Sequence, residues 1–508
     1  MATDKMTPGV YIDEINAFPG SAVAVETAVP VFIGYTEKAM RRGKSLVGIP
    51  TSISSFAEYA ETFGGAFKPK FKITQAADGE KPDPAAPTGD TIMLNGKHTT
   101  LKLNDNNAAY FYNCIRLFYA NGGAHCYIYS VGTYGTTPEG FTIKTSDFVG
   151  GTTTVFGVLE KEYEPTLIVM PDIIALGKSV YNDVYAQVLL HCAKVKSRMG
   201  IFDLHKQDPS EGTDDIVAEF RNGIGTTSLK YGAAYYPWLK TSIVQPDEVD
   251  FQNFDASVVL TDLLAPTETT AKDIITAYNA NAKKADPDVS QNYHQSLKAA
   301  SPTYVTILDA LRSRMNELPP SAAMAGIYTL VDNSRGVWKA PANVSLSMVN
   351  EPSFNISSDG QEKLNVDVMA GKSINVIRPF PGIGTLVWGA RTLDGNSQDW
   401  RYINVRRTLI MIEQSLKLAT RAYVFEPNDA GTWITVKSMF NNFLVNLWKQ
   451  GALAGAVPEQ AFDVQIGLGA TMTPTDILDG LMKITVKVAV VRPAEFIVIT
   501  FQQQQQLS

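Results

Sequence analysis

Two Gly-Lys-Ser triplets, Gly43-Lys44-Ser45 and Gly371-Lys372-Ser373, are the residues that come nearest to a phosphate-binding signature. A loop that wraps phosphates with backbone N–H groups also needs a glycine five positions ahead of the triplet's own, and Lys38 and Val366 stand there. Both triplets read as turns. The run "GIGTLVWG" at 382–389 opens like a dinucleotide fingerprint, but its third glycine is misplaced and the glycines precede a β-run instead of opening a helix. His98, His125, His191, His205 and His294 form no two-histidine helical motif. The doublets His125-Cys126 and His191-Cys192 carry zinc-ligand chemistry, yet they lie far apart, whereas structural zinc sites use short chelating spacings. No Gly-x-Ser-x-Gly elbow marks a nucleophilic serine. These residues lead us to expect no catalytic, metal-binding or cofactor-binding group, and no cofactor.

One cluster remains. "WRYINVRR" (400–407) brings together Arg401, Arg406 and Arg407, with Arg391 upstream and Asp394 and Asp399 offsetting only part of the charge. Arginine favours bidentate, directional pairing with carboxylates. The cluster reads either as a cationic patch for an acidic protein partner or as a set of caps and internal ion pairs.

The elements that must position these groups come next. A chain of 508 residues exceeds one compact core and implies two to four domains. Apolar residues at 45% and charged residues at 19% describe a globular chain, and a net charge of −7 argues against nucleic acid as its main partner. Cys114, Cys126 and Cys192 are too few and too scattered for a disulfide framework and read as buried small hydrophobes in a reducing compartment. The N-terminal segment has no signal-peptide core, and Glu26 and Pro30 interrupt the best early apolar run, so synthesis in the cytoplasm without membrane insertion is expected.

Residues 1–20 read as an extended arm, with one short strand in "VYIDEINAF" between Pro8-Gly9 and Pro19-Gly20. Residues 66–105, rich in Pro, Gly, Asp and Lys, read as a surface insertion whose Asn95-Gly96 pair closes a hairpin. From 107 to 239 strand-like and helix-like runs alternate, which favours a partly parallel sheet covered by helices. The polar stretch 241–300 reads as a peripheral insertion or a mobile loop region. The last third, with β-runs in 372–393, helices near 402–423 and 432–450 and strands in 461–469 and 482–493, reads as an α+β unit. The expected fold class is a mixed α/β and α+β multidomain chain. It comprises an arm (1–20), an α/β body (21–65 and 106–371), the insertion, an α+β domain (372–490) and a terminal strand arm (491–508).

That terminal strand is unusual. Phe496, Val498 and Thr500 fall on one face and Ile497, Ile499 and Phe501 on the other, so both faces are largely apolar. A strand of this kind has to be covered, yet only Gln502 to Ser508 follow it. At the other extremity Val10, Tyr11, Ile12 and Asp13 lie between Pro-Gly hinges. Terminal strands on hinged arms suit strand addition to a neighbour's sheet. Five or six ladder bonds plus a buried Phe and Ile give about 6–12 kcal/mol per arm before ordering costs, which remove most of it. Many such exchanges in one lattice reinforce one another.

The order of "TPGVYIDE", "VFIGYTEKA", "PPSAAMAGIYTLVDNSRGVWKAPAN" (319–343), "INVIRPFPGIGTLVWGARTL" (374–393), "WRYINVRR", "YVFEPND" (423–429), "LWKQGALAG" (447–455) and "VRPAEFIVI" resembles the contractile tail sheath family of phage tails and contractile injection systems. The resemblance covers 1–36 and about 319–508, and the two insertions depart from it. It implies a structural, non-enzymatic subunit that stacks in six-fold rings around an inner tube, meets baseplate and sheath-terminating proteins, and contracts to drive the tube through a target envelope. It further implies that Val10 to Asp13 and Phe496 to Phe501 complete the sheets of neighbouring subunits. The body would lie outside and the 372–490 domain would face the tube, with Arg391, Arg401, Arg406 and Arg407 as candidate tube- or neighbour-facing cations. The competing readings are an α/β enzyme whose termini pack at home and a non-contractile filament protein.

Overall fold

The computed structural model describes residues 22–77, 91–135, 140–150, 154–177, 180–206 and 213–496. The expected arm strands at Val10 to Asp13 and Ile497 to Phe501 lie outside the described residues. Two compact units emerge: one takes 26–407 together with 492–496, and the other takes 22–25 and 408–491.

The larger unit is organised by an eight-stranded sheet. In spatial order its strands are Gly384–Val387, Asn375–Phe380, Gly232–Tyr236, Met199–Asp203, Leu167–Val169, Pro30–Thr36, Cys126–Thr133 and Thr51–Ile53. The six inner strands run parallel and the two edge strands are antiparallel to them. Continuous apolar runs such as "PVFIGYT" and "MGIFD" are buried along their whole length, as strands covered on both faces must be. Side chains still alternate. Phe32, Leu167, Val169, Met199, Ile201, Ala233 and Tyr235 share one core with helices Phe111–Ala120 and Ser321–Arg335. Phe202, between Ile201 and Asp203, points to the opposite face and stacks at 4.3 Å on Tyr185 of helix Val180–Val195. The partly parallel, helix-covered sheet read from the alternating runs is therefore present.

The polar stretch 241–300 is not a loop region. It holds helices Thr269–Ala280 and Pro287–Ala300, each with a thin buried stripe: Ala271 and Ile275 on one, Tyr293, His294 and Leu297 on the other. Its polarity reflects the exposed faces of these helices. The two insertions also meet each other. Strands Phe71–Gln75, Thr91–Leu94 and Lys97–Leu103 form a three-stranded sheet, closed by the expected hairpin turn at Asn95, whose φ is 52°. Phe71, Ile73, Leu94 and Leu101 from that sheet share a second core with Ala271, Ile275, Leu297, Tyr304 and Leu311. Polar ties seal the junction: Asn104 Nδ2 donates to Asp255 Oδ2 at 2.5 Å and Asn95 Nδ2 to the Leu263 carbonyl at 2.9 Å.

The smaller unit contains helix Ala430–Lys449 and a two-stranded antiparallel sheet, Phe462–Ile466 with Ile484–Val488. The two compact units divide between 407 and 408. Asn375–Phe380 adds to the large sheet beside Gly232–Tyr236, so residues 372–407 belong to the larger unit. Helix Ile403–Thr420 spans the division, its first turn in one unit and the remainder in the other. A uniform helical pattern gives no sign of such a break.

Buried aspartates tie helices to strand ends. Asp203, at the end of its strand, accepts from the Ser321 N–H at 2.7 Å and from the Ser321 hydroxyl, and so caps helix Ser321–Arg335. Burial pushes its pKa from 3.8 up to about 7, against the opposing pull of the Ser321 hydrogen bonds. Between those values the folded chain retains a proton that the unfolded chain has released, so this group's contribution to stability falls as pH rises through that window. Asp203→Asn keeps both contacts without the charge, its Oδ1 accepting from the Ser321 N–H and its Nδ2 donating to the Ser321 hydroxyl oxygen. We expect it to match the wild-type urea midpoint near pH 5 and exceed it near pH 8, the gap growing by on the order of 2–4 kcal/mol. Parallel midpoint-versus-pH curves for the two proteins would contradict this.

Candidate assembly site at the roots of the two terminal segments

The arginines singled out by sequence cluster where the two terminal segments join the large unit, but three of them are inside it. Arg407 and Asp332 have side chains only 3% exposed and pair through two contacts, at 2.9 and 2.6 Å. The guanidinium also lies 4.6 Å over the Tyr328 ring, and the Tyr328 hydroxyl meets that of Tyr235, on a central strand, at 2.9 Å. What this pair holds is Thr27. Arg407 Nη2 donates to the Thr27 carbonyl at 2.9 Å, Thr27 Oγ1 donates to Asp332 Oδ2 at 2.5 Å, and Thr166 Oγ1 donates to the same carbonyl at 2.6 Å. The chain leading back toward the N-terminal arm is thus fixed at Thr27 by both its side chain and its backbone.

Arg391, 4% exposed, does the corresponding work at the other end. Its backbone is held by Asn375, which accepts from the Arg391 N–H at 2.7 Å and donates to its carbonyl at 2.8 Å while also reaching the Ala234 carbonyl. Its guanidinium grips Glu495, with Nε 3.0 and 3.1 Å from the two carboxylate oxygens and Nη2 2.7 Å from Oε2. Asn365 Nδ2 donates to Glu495 Oε1 at 2.8 Å and the Tyr402 hydroxyl to Oε2 at 3.0 Å. Burial alone would raise the Glu495 pKa; the bonds from Arg391 and Asn365 outweigh it and hold the carboxyl below the ordinary glutamate value. One residue later, Phe496 is 70% exposed.

Arg406 is buried with its guanidinium 4.7 Å over Trp400 and 5.1 Å over Tyr231. Arg401, half-buried, donates from Nε to the Gly395 carbonyl at 3.1 Å. The surface-patch reading of Arg391, Arg406 and Arg407 is therefore corrected to the internal one. Planar guanidinium groups match carboxylates and ring faces, so a dense arginine cluster builds an interior as readily as a surface. Sequence reasoning missed Thr27, Asp332, Asn365, Tyr402 and Glu495. Glu495 had a legible signal: it is the one acidic residue in "VRPAEFIVITF", directly ahead of an uncharged run.

The smaller unit holds a two-stranded sheet with an apolar face. Phe462, Val464 and Ile466 stand opposite Val488, Val486 and Ile484, a six-residue apolar face in register, and helix Ala430–Lys449 packs against the Phe462–Ile466 strand. Among the described residues each strand has one strand neighbour, so both outer edges of the pair are open.

The crevice at the carboxyl ends of the large sheet, where strand order reverses between Pro30–Thr36 and Leu167–Val169, is the usual ligand position of such folds. Here protein fills it. Asp172, fully buried, accepts from the N–H groups of Tyr35, Tyr110 and Phe111, and Tyr35 packs on Phe141 and Phe148. The two His-Cys doublets do not converge: His125 meets Ser52 at 2.7 Å, whereas His191 packs on Phe156 and Arg198. Among the described residues no three His, Cys, Asp or Glu gather as a metal site, and no helix is long and apolar enough to cross a membrane.

Comparison with known proteins agrees with this geometry. Residues 396–504 match the phage tail sheath C-terminal domain. Curated relatives named tail sheath protein include one from Vibrio phage KVP40, 22% identical over 34% of this chain, and one from Burkholderia phage BcepMu, 27% identical over 30%. These matches span 24% and 32% of the relatives' own lengths. The class to which these likenesses point is the contractile sheath protein. Within it, likeness over the full length is to sheaths of contractile injection systems in the contracted state. The extracellular PVC sheath is 28% identical with a TM-score of 0.62, over 99% of both chains. The anti-feeding prophage (AFP) sheath is 27% identical with a TM-score of 0.60, over 98% of this chain and 99% of the other.

The Arg407 pair makes a direct test possible. Asp332→Asn leaves a buried guanidinium without its counter-charge and is expected to cost about 3–5 kcal/mol in chemical unfolding, whereas Asp332→Leu with Arg407→Met recovers most of it. A single variant within about 1 kcal/mol of wild type would show that the pair is not the anchor described.

Proposed function

We propose that this chain is the subunit of a contractile sheath with no catalytic step of its own. Copies join in six-fold rings stacked helically around an inner tube, bounded by baseplate and sheath-terminating proteins. On a trigger they rotate outward and drive the tube through a target envelope. Residues Val10 to Asp13 and Phe496 to Phe501 pair with the sheets of neighbouring copies, so the lattice stays linked while the bodies re-pack. The 372–490 domain faces the tube, and the body with its insertions lies outside. The particle is a phage tail or a tail-like injection machine, assembled in the cytoplasm.

The observation that carries this reading is the open two-stranded sheet. A lone pair of strands is marginal in water, and three or more are needed for independent stability. Among the described residues Phe462–Ile466 and Ile484–Val488 offer two free edges, and the sequence has two terminal segments with strand character. A donated strand on each edge would give a four-stranded sheet built from more than one copy.

The expressed protein is expected to form long tubes in two diameters under the electron microscope. Removing residues 497–508, which leaves the Glu495 anchor in place, is expected to give a chain that unfolds with the wild-type midpoint yet sediments as small species. Tubes of one diameter would indicate a static filament. A truncated chain that polymerises normally would remove the strand-exchange argument.

A further inference from the structure

The terminal strand has a register problem. Shifting a strand by one residue exchanges its faces, and register is ordinarily dictated by having one apolar and one polar face. In Phe496 to Phe501 both faces are apolar, Phe496, Val498 and Thr500 against Ile497, Ile499 and Phe501. Its own pattern therefore does not tell it which face to bury. The residue directly before it is the most heavily held carboxylate of the segment. Glu495 receives five donor contacts from three side chains, and the central one, Arg391, is buried and locked through Asn375 to the core of the large sheet. Pro493 stiffens the approach by fixing φ.

We infer that Arg391, Asn365 and Tyr402 form a carboxylate cage whose ligand is Glu495, and that this cage sets the register in which the C-terminal strand enters a neighbouring copy. The inference rests on the sheath reading for its readout and goes beyond it. Residues within the donor's own fold decide which side chains the acceptor receives. The geometry suits the task. A bidentate guanidinium fixes both position and orientation of a carboxylate, and only one peptide separates Glu495 from the exposed Phe496.

Two variants and their combination test it in the full-length chain. An alanine inserted between Glu495 and Phe496 exchanges the faces beyond the cage and is expected to abolish tubes while leaving the unfolding midpoint unchanged. Glu495→Gln keeps the shape and removes the charge. It is expected to raise the rotational mobility of a spin label carried on Phe496→Cys in unassembled chains, and to form tubes in lower yield. Combined with the insertion, Glu495→Gln is expected to restore that lower yield, because a loosened root lets the strand slide back by one residue. A merely structural role for Glu495 predicts no such rescue. The inference is overturned if the insertion alone assembles like wild type, if the combination stays as defective as the insertion, or if the label's mobility is unchanged in Glu495→Gln. Failure of the wild-type chain to form tubes sinks the sheath reading instead, and the label measurement still decides whether the cage holds the root of the segment.

Discussion

A strand with a neighbour on one side leaves the backbone groups of its other edge to water or to another chain, and a sheet of two strands has nothing else but such edges. That constraint governs the 408–491 unit. Its apolar face is in register and rests on helix Ala430–Lys449, and among the described residues the sheet has two strands. On the proposed reading, the rest of the molecule is the means of bringing further strands to it. A large rigid sheet serves as foundation, buried arginines fix the points where the terminal segments leave it, and the segments themselves have little internal specification.

The large sheet has a doubly wound architecture common among enzymes. Its strand order reverses where ligands usually bind, and the position is taken by Asp172, Tyr35 and neighbouring aromatic rings. Gly34 is small because of this filling: a Cβ there would lie 2.2 Å from the Phe111 ring and 2.8 Å from Asp172. Fold alone does not decide function, and the site has to be read in its own right.

Much of the fold was legible because the signals are local. The buried strands at 30–36, 199–203 and 232–236 announce themselves as unbroken apolar runs, and helix Phe111–Ala120 by its spacing. What was not legible depends on partners distant in sequence. Arg407 and Asp332 are 75 positions apart, and Arg391 and Glu495 are 104 apart. Nothing in "WRYINVRR" says whether its guanidinium groups face water or a carboxylate from elsewhere. The division between 407 and 408 has no local signal for a related reason: Asn375–Phe380 joins a sheet whose nearest strand, Gly232–Tyr236, lies well over a hundred residues earlier. Polarity misled in the opposite sense at 241–300, where two helices bury so little that their composition resembles a loop.

Those helices have a consequence for how such chains diversify. Residues 66–105 and 241–315 are separate in sequence but share one apolar interior, in which Phe71 and Leu101 sit among Ile275, Leu297 and Leu311. They constitute a single module encoded in two pieces. Recombination, or a designer exchanging this module for another, has to exchange both pieces at once; removing either alone would strip the other and leave a greasy surface.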